Sequence, residues 1–373
     1  MTAINWKHIR KQFPAIDAIT YLNTAEGGAL SAASAEAGSD YFFEAQIGGD
    51  LPWYNWVSRV EDVRGKLAKF LNTEITNLGF TSSVALSMNI LADLFNRSGS
   101  VLTIADEFPS VTLPWLQRGY ELNFVASKGN GSVSIDDFAD SITTDTKFIV
   151  CSHIGFSTGF CLDLRELSEF CRSRKIHLII DATQSAGSIK LDLSEINAAA
   201  VVFSCYKWMA AGYGTTVAYI SPKLLATSKW NFAGWWNAKN PYEMINDHVN
   251  LKSSGALFEM GQPNFSSIFA LGAAVDLMLG VSIDEIEKRN AELTSQLTAQ
   301  LTEIGLVVSK FENPKNDSPI VMVTVENAEK LVGKLKEKNI FVSSRRGKLR
   351  ISPHFYNDES DLQALITALR SVL

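Results

Sequence analysis

The sequence predicts an α/β chain of two domains, a large one on a seven-stranded, mostly parallel sheet and a small C-terminal α+β one. Three observations carry that reading. Between residues 78 and 220 short apolar runs alternate with helical stretches, the order expected of strand–helix–strand units. The runs are nearly continuous instead of period-two, as strands covered by helices on both faces should be. The chain has 373 residues, more than one core usually serves, so a second domain is expected.

In chain order, residues 1–20 read as a short helical arm, ended by Phe13-Pro14 before an extended run over 19–23. Thr24-Ala25-Glu26-Gly27-Gly28-Ala29 is a loop, punctuated by its paired glycines. Over 57–71 the spacing of Val60, Val63, Leu67 and Phe70-Leu71 makes one helical face. Strands are then expected at 78–81, 101–105, 122–126, 148–152, 178–181, 201–204 and 215–220, with helices at 84–95 and 164–174. After Pro222 the composition changes, and 230–257 holds Trp230, Trp235 and Trp236 without a secure period. Helices at 265–279 and 282–302, a strand at 320–325, a helix at 328–338, strands at 341–343 and 349–352 and a closing helix at 359–372 complete the chain. The expected divisions are an arm at 1–20, a large domain at 21–260 and a small domain at 261–373.

Composition narrows the function. The 34 Lys and Arg and 40 Asp and Glu are mixed along the chain, leaving no basic stripe for nucleic acid. Apolar stretches break after roughly ten residues, short of a membrane span, and the N-terminus has no apolar leader, so a cytoplasmic protein is expected. Cys151, Cys161, Cys171 and Cys205 form neither a disulfide framework nor a zinc spacing. They read as reduced, mostly buried thiols, and no metal site is expected.

The informative stretch is 179–214. Asp181 closes an apolar strand and Gln184 follows three residues on; the next strand ends at Ser204-Cys205-Tyr206-Lys207, before Gly212 and Gly214. An acid, an amide, a hydroxyl, a phenol and an amine therefore converge on one carboxyl-terminal sheet edge, where α/β proteins keep ligands. Pyridoxal phosphate needs these types: a lysine to carry it, an aspartate to keep its ring nitrogen protonated, hydroxyls and helix-terminal N–H groups for its phosphate. A solvated lysine and a helix-capping aspartate would give the same spacing.

Asp181-Ala182-Thr183-Gln184-Ser185-Ala186-Gly187, followed by Ser204-Cys205-Tyr206-Lys207, resembles the class V aminotransferases. These are fold type I pyridoxal-phosphate enzymes that include cysteine desulfurases, kynureninases and isopenicillin-epimerase-like proteins. The resemblance runs from Tyr21-Leu22-Asn23-Thr24 to Leu349-Arg350-Ile351-Ser352-Pro353-His354-Phe355-Tyr356-Asn357, essentially the whole chain. It implies that Lys207 carries pyridoxal 5'-phosphate as an imine and moves the substrate proton, that Asp181 pairs with the ring nitrogen, and that Gln184 lies near the ring's phenolic oxygen. Thr81-Ser82-Ser83 looks like the phosphate-binding turn, with Ser204 and Tyr206 as further phosphate contacts and Phe108 stacked over the ring. Arg350 falls where the family clamps the substrate α-carboxylate, with Asn23 and Gly27 on the substrate side; Arg345 and Arg346 could be surface charges. Also implied are a homodimer with the site at its interface and an arm packed with the small domain. From the residues alone, Thr81-Ser82-Ser83 could be an N-cap cluster, and Phe108, Ser204 and Tyr206 core side chains.

Three departures bear on specificity. The family's desulfurases need a nucleophilic cysteine in the C-terminal third, and no cysteine follows Cys205. In His153-Ile154-Gly155-Phe156-Ser157-Thr158-Gly159, Phe156 occupies the place of a ring-contacting asparagine, with Ser157 or Thr158 as substitutes. In Phe258-Glu259-Met260-Gly261-Gln262-Pro263-Asn264, Gln262 stands where a threonine commonly reaches the partner's phosphate. A small L-amino acid is the expected substrate. Transamination is expected first, a C–S β-lyase lacking the persulfide cysteine second, and epimerisation uses the same chemistry. A non-catalytic role is disfavoured by the presence of Asp181, Gln184, Lys207 and Arg350 together.

Overall fold

The computed structural model describes residues 4–95 and 97–373, so the first three residues of the expected arm lie outside it. The arm is two short helices, Trp6–Arg10 and Pro14–Ala18, broken at Phe13-Pro14 because proline suits a first helical turn and not the end of the preceding one. Phe13 is buried against Phe355 and Tyr356, with ring centroids 5.7 and 4.7 Å away. Arg10 donates to the Asp361 carboxylate at 2.6 Å and to the Tyr356 carbonyl at 3.2 Å. Strand β1 (Thr20–Tyr21) then pairs in parallel with Ile340–Phe341.

The large domain contains the expected seven-stranded sheet: β2 (Leu78–Thr81), β3 (Ser100–Ile104), β4 (Leu122–Val125), β5 (Thr146–Ser152), β6 (His177–Asp181), β7 (Ala200–Ser204) and β8 (Thr216–Ile220). Its order is β2-β8-β7-β6-β5-β3-β4, and β8 alone runs against the rest. The inner strands read as continuous apolar runs because nearly every residue has a core to face, whereas the edge strand β4 leaves Phe124 exposed. Phe148, Val150, Ile179, Ala200 and Val202 join one core; Ile149, Cys151, Leu178, Ile180, Val201 and Phe203 join the other.

The sequence gives no sign of the 17-residue helix Ala32–Gly48. It meets Phe265–Val281 through small residues: a Cβ on Gly38 would lie 3.1 Å from the Ser266 carbonyl oxygen and 3.4 Å from the Ala270 Cβ. An interface that close shows no apolar period. Phe42, Phe43 and Ile47 on the same helix stay exposed.

A division at residue 260 would cut through a core. The buried face of Phe265–Val281 belongs to the large domain, with Phe265, Ile268, Leu271 and Val275 in the core that also holds Val60 and Leu67. Ser282, with φ of 77°, turns the chain by 82° into Ile283–Glu303. That helix buries Ile286 in the large domain and Leu293, Leu297 and Leu301 in the small one, so the cores change over within it. In the small domain β9 (Val307–Val308), β10 (Val321–Thr324), β12 (Ser343–Arg345) and β13 (Lys348–Ile351) form an antiparallel sheet in the order β12-β13-β10-β9. The helices Ala328–Lys336 and Glu359–Val372 share its core. The single strand expected at 341–343 is divided: β11 (Ile340–Phe341) serves β1, whereas β12 serves β13.

The two domains meet along the carboxyl ends of β3, β5, β6 and β7, where Arg346 pairs with Asp106, Arg350 donates to the Phe156 carbonyl, Asn290 donates to the Ser188 carbonyl, and His354 Nε2 meets the Trp208 carbonyl. Below that edge a buried ion pair joins Arg64 to Glu259 at 2.6 Å, and Glu259 also accepts from the Phe80 N–H at 3.0 Å. No single helix among the described residues is long and apolar enough to cross a membrane.

Candidate active site

Asp181 is the last residue of β6 and Ser204 the last of β7, so both side chains reach the carboxyl-terminal edge of the sheet. Thr183 ties the two strand ends together. Its N–H donates to Asp181 Oδ1 at 2.8 Å, and its hydroxyl oxygen accepts from the Ser204 N–H at 3.1 Å. Lys207 sits in the turn beyond β7, held from both sides. Its carbonyl accepts from the Ala210 N–H at 2.9 Å, and the preceding Tyr206 carbonyl accepts from the Gly28 N–H at 2.8 Å. A Cβ on Gly28 would lie 2.1 Å from the Lys207 carbonyl oxygen, so only glycine lets the 24–29 loop approach this closely.

These groups surround a cavity of about 150 Å³ lined by Ser83, Phe108, Asp181, Gln184, Ser204, Tyr206 and Lys207, together with Val84, Ala85, Ser110, Ser152, Ile154, Phe156 and Thr183. The Lys207 ammonium lies 5.8 Å from the centre of the Phe108 ring and 5.7 Å from that of Tyr206. Burial pulls its pKa down to about 8, with the nearby Arg350 and Arg345 adding to the effect and Asp181 and Glu26 opposing it. Asp181 is raised by burial, against the Thr183 hydrogen bond and the attraction of Lys207. The amine is therefore closer to its neutral, nucleophilic form than a surface lysine.

Not every expected residue reaches the cavity. Ser83 does, and it caps the helix Val84–Asp93 by accepting from the Leu86 N–H. The first-turn residues Val84 and Ala85 accompany it, whose N–H groups have no intrahelical acceptor. Thr81 is buried instead, 2.7 Å from the Ser87 hydroxyl, and Ser82 is exposed outside the lining. Thr158 turns into a neighbouring pocket beside Gly131 and Asp106, and its hydroxyl accepts from the Phe160 N–H. Phe156 lines the cavity in its place, its ring edge-on to Phe108 at 5.3 Å. Gln262 is exposed and lies outside the lining. Gln184 has its amide engaged: it donates to the Ala25 carbonyl at 3.1 Å and accepts from Trp208 Nε1 at 2.7 Å.

On the substrate side, Arg350 of β13 is fully buried and reaches across the domain boundary to the Phe156 carbonyl at 2.9 Å. Gly27 lies against Tyr206 and Tyr213, and its carbonyl accepts from the Tyr21 hydroxyl at 2.6 Å. Asn23 bridges to Ser352, and its buried side-chain oxygen has no hydrogen-bond partner among the described residues. All four cysteines are buried, and none lines the cavity. Cys205, beside Lys207, faces the core under the sheet.

Two acidic residues were missed in the sequence. Glu107, between β3 and Phe108, accepts from the Ser152 N–H and hydroxyl and, at 3.2 Å, from the Phe108 N–H. Glu26 pairs with Arg350 at 2.8 Å and also with Arg345. Glu107 carries the same signal that marked Asp181, a carboxylate just past a strand's carboxyl end. Glu26 had none beyond its place in the glycine loop.

The profile described as "Aminotransferase class-V" matches residues 54–365. The chain belongs to this family. Its α/β fold, with the large sheet domain and the smaller C-terminal domain, is that of fold type I pyridoxal-phosphate enzymes. Among relatives, an uncharacterized aminotransferase, YcbU, of Bacillus subtilis (strain 168) is 22% identical over 96% of this chain and 95% of its own. The apo cysteine desulfurase of Thermococcus onnurineus NA1 superposes with a TM-score of 0.91 at 20% identity, covering 100% of this chain and 99% of that one. The cystine C–S lyase C-DES, solved with its product cysteine persulfide, gives a TM-score of 0.89 at 22% identity, covering 96% and 99%.

The family implies pyridoxal phosphate, and the residues present fit it. One cavity combines a desolvated amine, a buried carboxylate, two flanking aromatic rings, hydroxyls and a capped helix N-terminus.

Proposed function

We propose that the protein is a pyridoxal-phosphate-dependent enzyme that cleaves the C–S bond of a small sulfur-bearing L-amino acid by β-elimination, without a thiol of its own. The observation that carries this is the Lys207 cavity, which offers an amine, a carboxylate and aromatic walls but no cysteine. The likeness to a cystine C–S lyase supports it. When bound, the cofactor supplies an electron sink for the bond broken at the substrate's α-carbon.

The chain's own groups do the rest. Lys207 would hold the cofactor and, with its amine part-neutral near pH 8, take the α-proton, which can then pass to the sulfur as the Cβ–S bond breaks. Asp181 sits where a carboxylate keeps a ring nitrogen protonated. Ser83, Ser204 and the first-turn N–H groups at Val84 and Ala85 would hold its phosphate, and Phe108 would supply an aromatic wall beside its ring. Arg350 orients the substrate by its carboxylate, the planar fork matching a planar anion. The walls of Phe108 and Phe156 limit water around the reacting atoms.

Transamination is the second reading, supported by the aminotransferase relative. Incubation of the loaded protein with single L-amino acids decides between them. Pyruvate with ammonia and released sulfide or persulfide marks elimination. A 2-oxo acid retaining the donor's side chain, with the cofactor left in its amine form, marks transamination and overturns the lyase. Neither product with any amino acid overturns both.

The enzyme is proposed to work as a homodimer. Phe42, Phe43, Ile47, Leu51 and Tyr54 are 62–90% exposed, and Tyr54 touches Tyr242, next to exposed Met244 and Ile245. A second copy covering this face would let the exposed Gln262 serve the partner's site. A monomer by light scattering would remove both roles.

A further inference from the structure

Every nitrogen of Arg350 is engaged. Nε donates to the Ser343 hydroxyl at 3.0 Å, Nη1 to the Phe156 carbonyl at 2.9 Å, and Nη2 to the Glu26 carboxylate at 2.8 Å. The first two partners are fixed, because Ser343 is the register neighbour of Arg350 in the β12–β13 ladder and Phe156 offers a backbone group. Glu26 is different. Its side chain is 47% exposed, and the same oxygen also serves Arg345. Its backbone is pinned, since the N–H groups of Glu26 and Gly27 donate to the Asn23 carbonyl and that of Gly28 to Tyr206. Only the side chain is free to turn. One carboxylate thus serves a buried arginine and a half-buried one beside the cavity.

We propose that Glu26 is an internal competitor that sets the carboxylate selectivity of this site: a substrate carboxylate takes its place on Arg350 while Glu26 stays on Arg345. This rests on the reading of Arg350 as the carboxylate clamp given above. The exchange never leaves the buried guanidinium without an anion, the state that costs most in a dry environment. Because one carboxylate replaces another, most of the gain from a charge-assisted pair cancels, and affinity stays below that of an open arginine. Glu26, still held beside the site by Arg345, repels a second negative charge. The favoured class is therefore amino acids with uncharged side chains, and acidic ones are turned away.

Calorimetric titration of propionate, a carboxylate without an amine, tests this on the pyridoxal-phosphate-loaded protein and on the cofactor-free one. Glu26→Gln is expected to bind propionate about tenfold tighter than wild type and to gain more for succinate, with neutral propionamide unchanged. Arg350→Lys is expected to bind propionate more weakly. Equal propionate affinity in wild type and Glu26→Gln, with Arg350→Lys still weaker, overturns the competitor and leaves the clamp standing. Equal affinity in all three removes the clamp and the competitor together. Should Arg350→Lys not fold, Glu26→Gln decides alone: a gain confined to carboxylates supports the exchange, and no gain overturns it.

Discussion

Glu107 and Ser152 are joined twice: the serine N–H and hydroxyl both donate to the carboxylate, each at 2.6 Å. Ser152 stands opposite Asp181 in the β5–β6 register, so the link brings a second acid beside the aspartate. The same carboxylate holds the Phe108 N–H, which fixes the aromatic wall of the cavity. Burial, with Asp181 adding repulsion, lifts the Glu107 pKa from 4.5 to about 7 despite the Ser152 bonds.

A raised carboxylate pKa makes stability fall as pH rises. Between the unfolded value near 4.5 and the folded value near 7, the folded protein binds the proton that the unfolded chain has lost. The cofactor-free protein should lose up to about 3 kcal/mol from this group across that window and none above it. Melting temperatures of wild type and Glu107→Gln at a series of pH values should therefore converge toward pH 4.5 and differ in slope up to pH 7. Parallel curves would place the titration elsewhere.

The lowered pKa of Lys207 should appear in the uptake of the cofactor. The neutral amine attacks the aldehyde, so the rate of covalent attachment to the cofactor-free protein should rise with pH and level off above a midpoint near 8, not 10.5. Stopped-flow absorption follows this directly. Lys207→Ala should fold normally yet keep no cofactor after borohydride reduction and denaturation.

Gly28 should tolerate no side chain. The added Cβ of Gly28→Ala meets the backbone at Lys207 and Ala210, which cannot swing aside, and destabilisation of about 3 kcal/mol is expected. Chemical denaturation measures it. Gly261→Ala, where a Cβ meets nothing within 4 Å, is the control.

The thiols should be silent in the native protein. Burial pushes Cys161 and Cys171 up to about 12 and raises Cys151 and Cys205 as well. An aromatic disulfide reagent at pH 8 should label none of the four cysteines until denaturant is added, then all of them. A fast-reacting native thiol would reopen a thiol-relay mechanism.

The inner strands of the sheet were legible because they are buried on both faces and so carry a nearly uninterrupted apolar signal, and Lys207 and Asp181 were legible because they interrupt that signal at strand ends. The helix Ala32–Gly48 was not, since it packs through Gly38 and small neighbours, and backbone proximity leaves no period. Where the large domain's core ends was hard to read for a related reason: Phe265–Val281 is apolar nearly all round, which marks burial without saying in which core. Within the site, single-residue choices escaped. Only placement separates Ser83, at the cavity, from Thr81, turned to Ser87, or shows Phe156 present where Thr158 is not. The Glu26–Arg350 pair joins residues far apart in the chain, and neither end announces the other.

The contact of Phe13 and Arg10 with Phe355, Tyr356 and Asp361 spans nearly the full length of the chain. On the ribosome the arm is made before the large domain, and its binding surface only after it. Until then the Phe13 ring stays unburied and the Arg10 guanidinium without its carboxylate, available to chaperones and to other nascent chains. Joining of the arm to the small domain therefore waits until the sheet of the large domain has been made, and a polypeptide stalled before residue 355 would hold a complete large sheet with a loose arm.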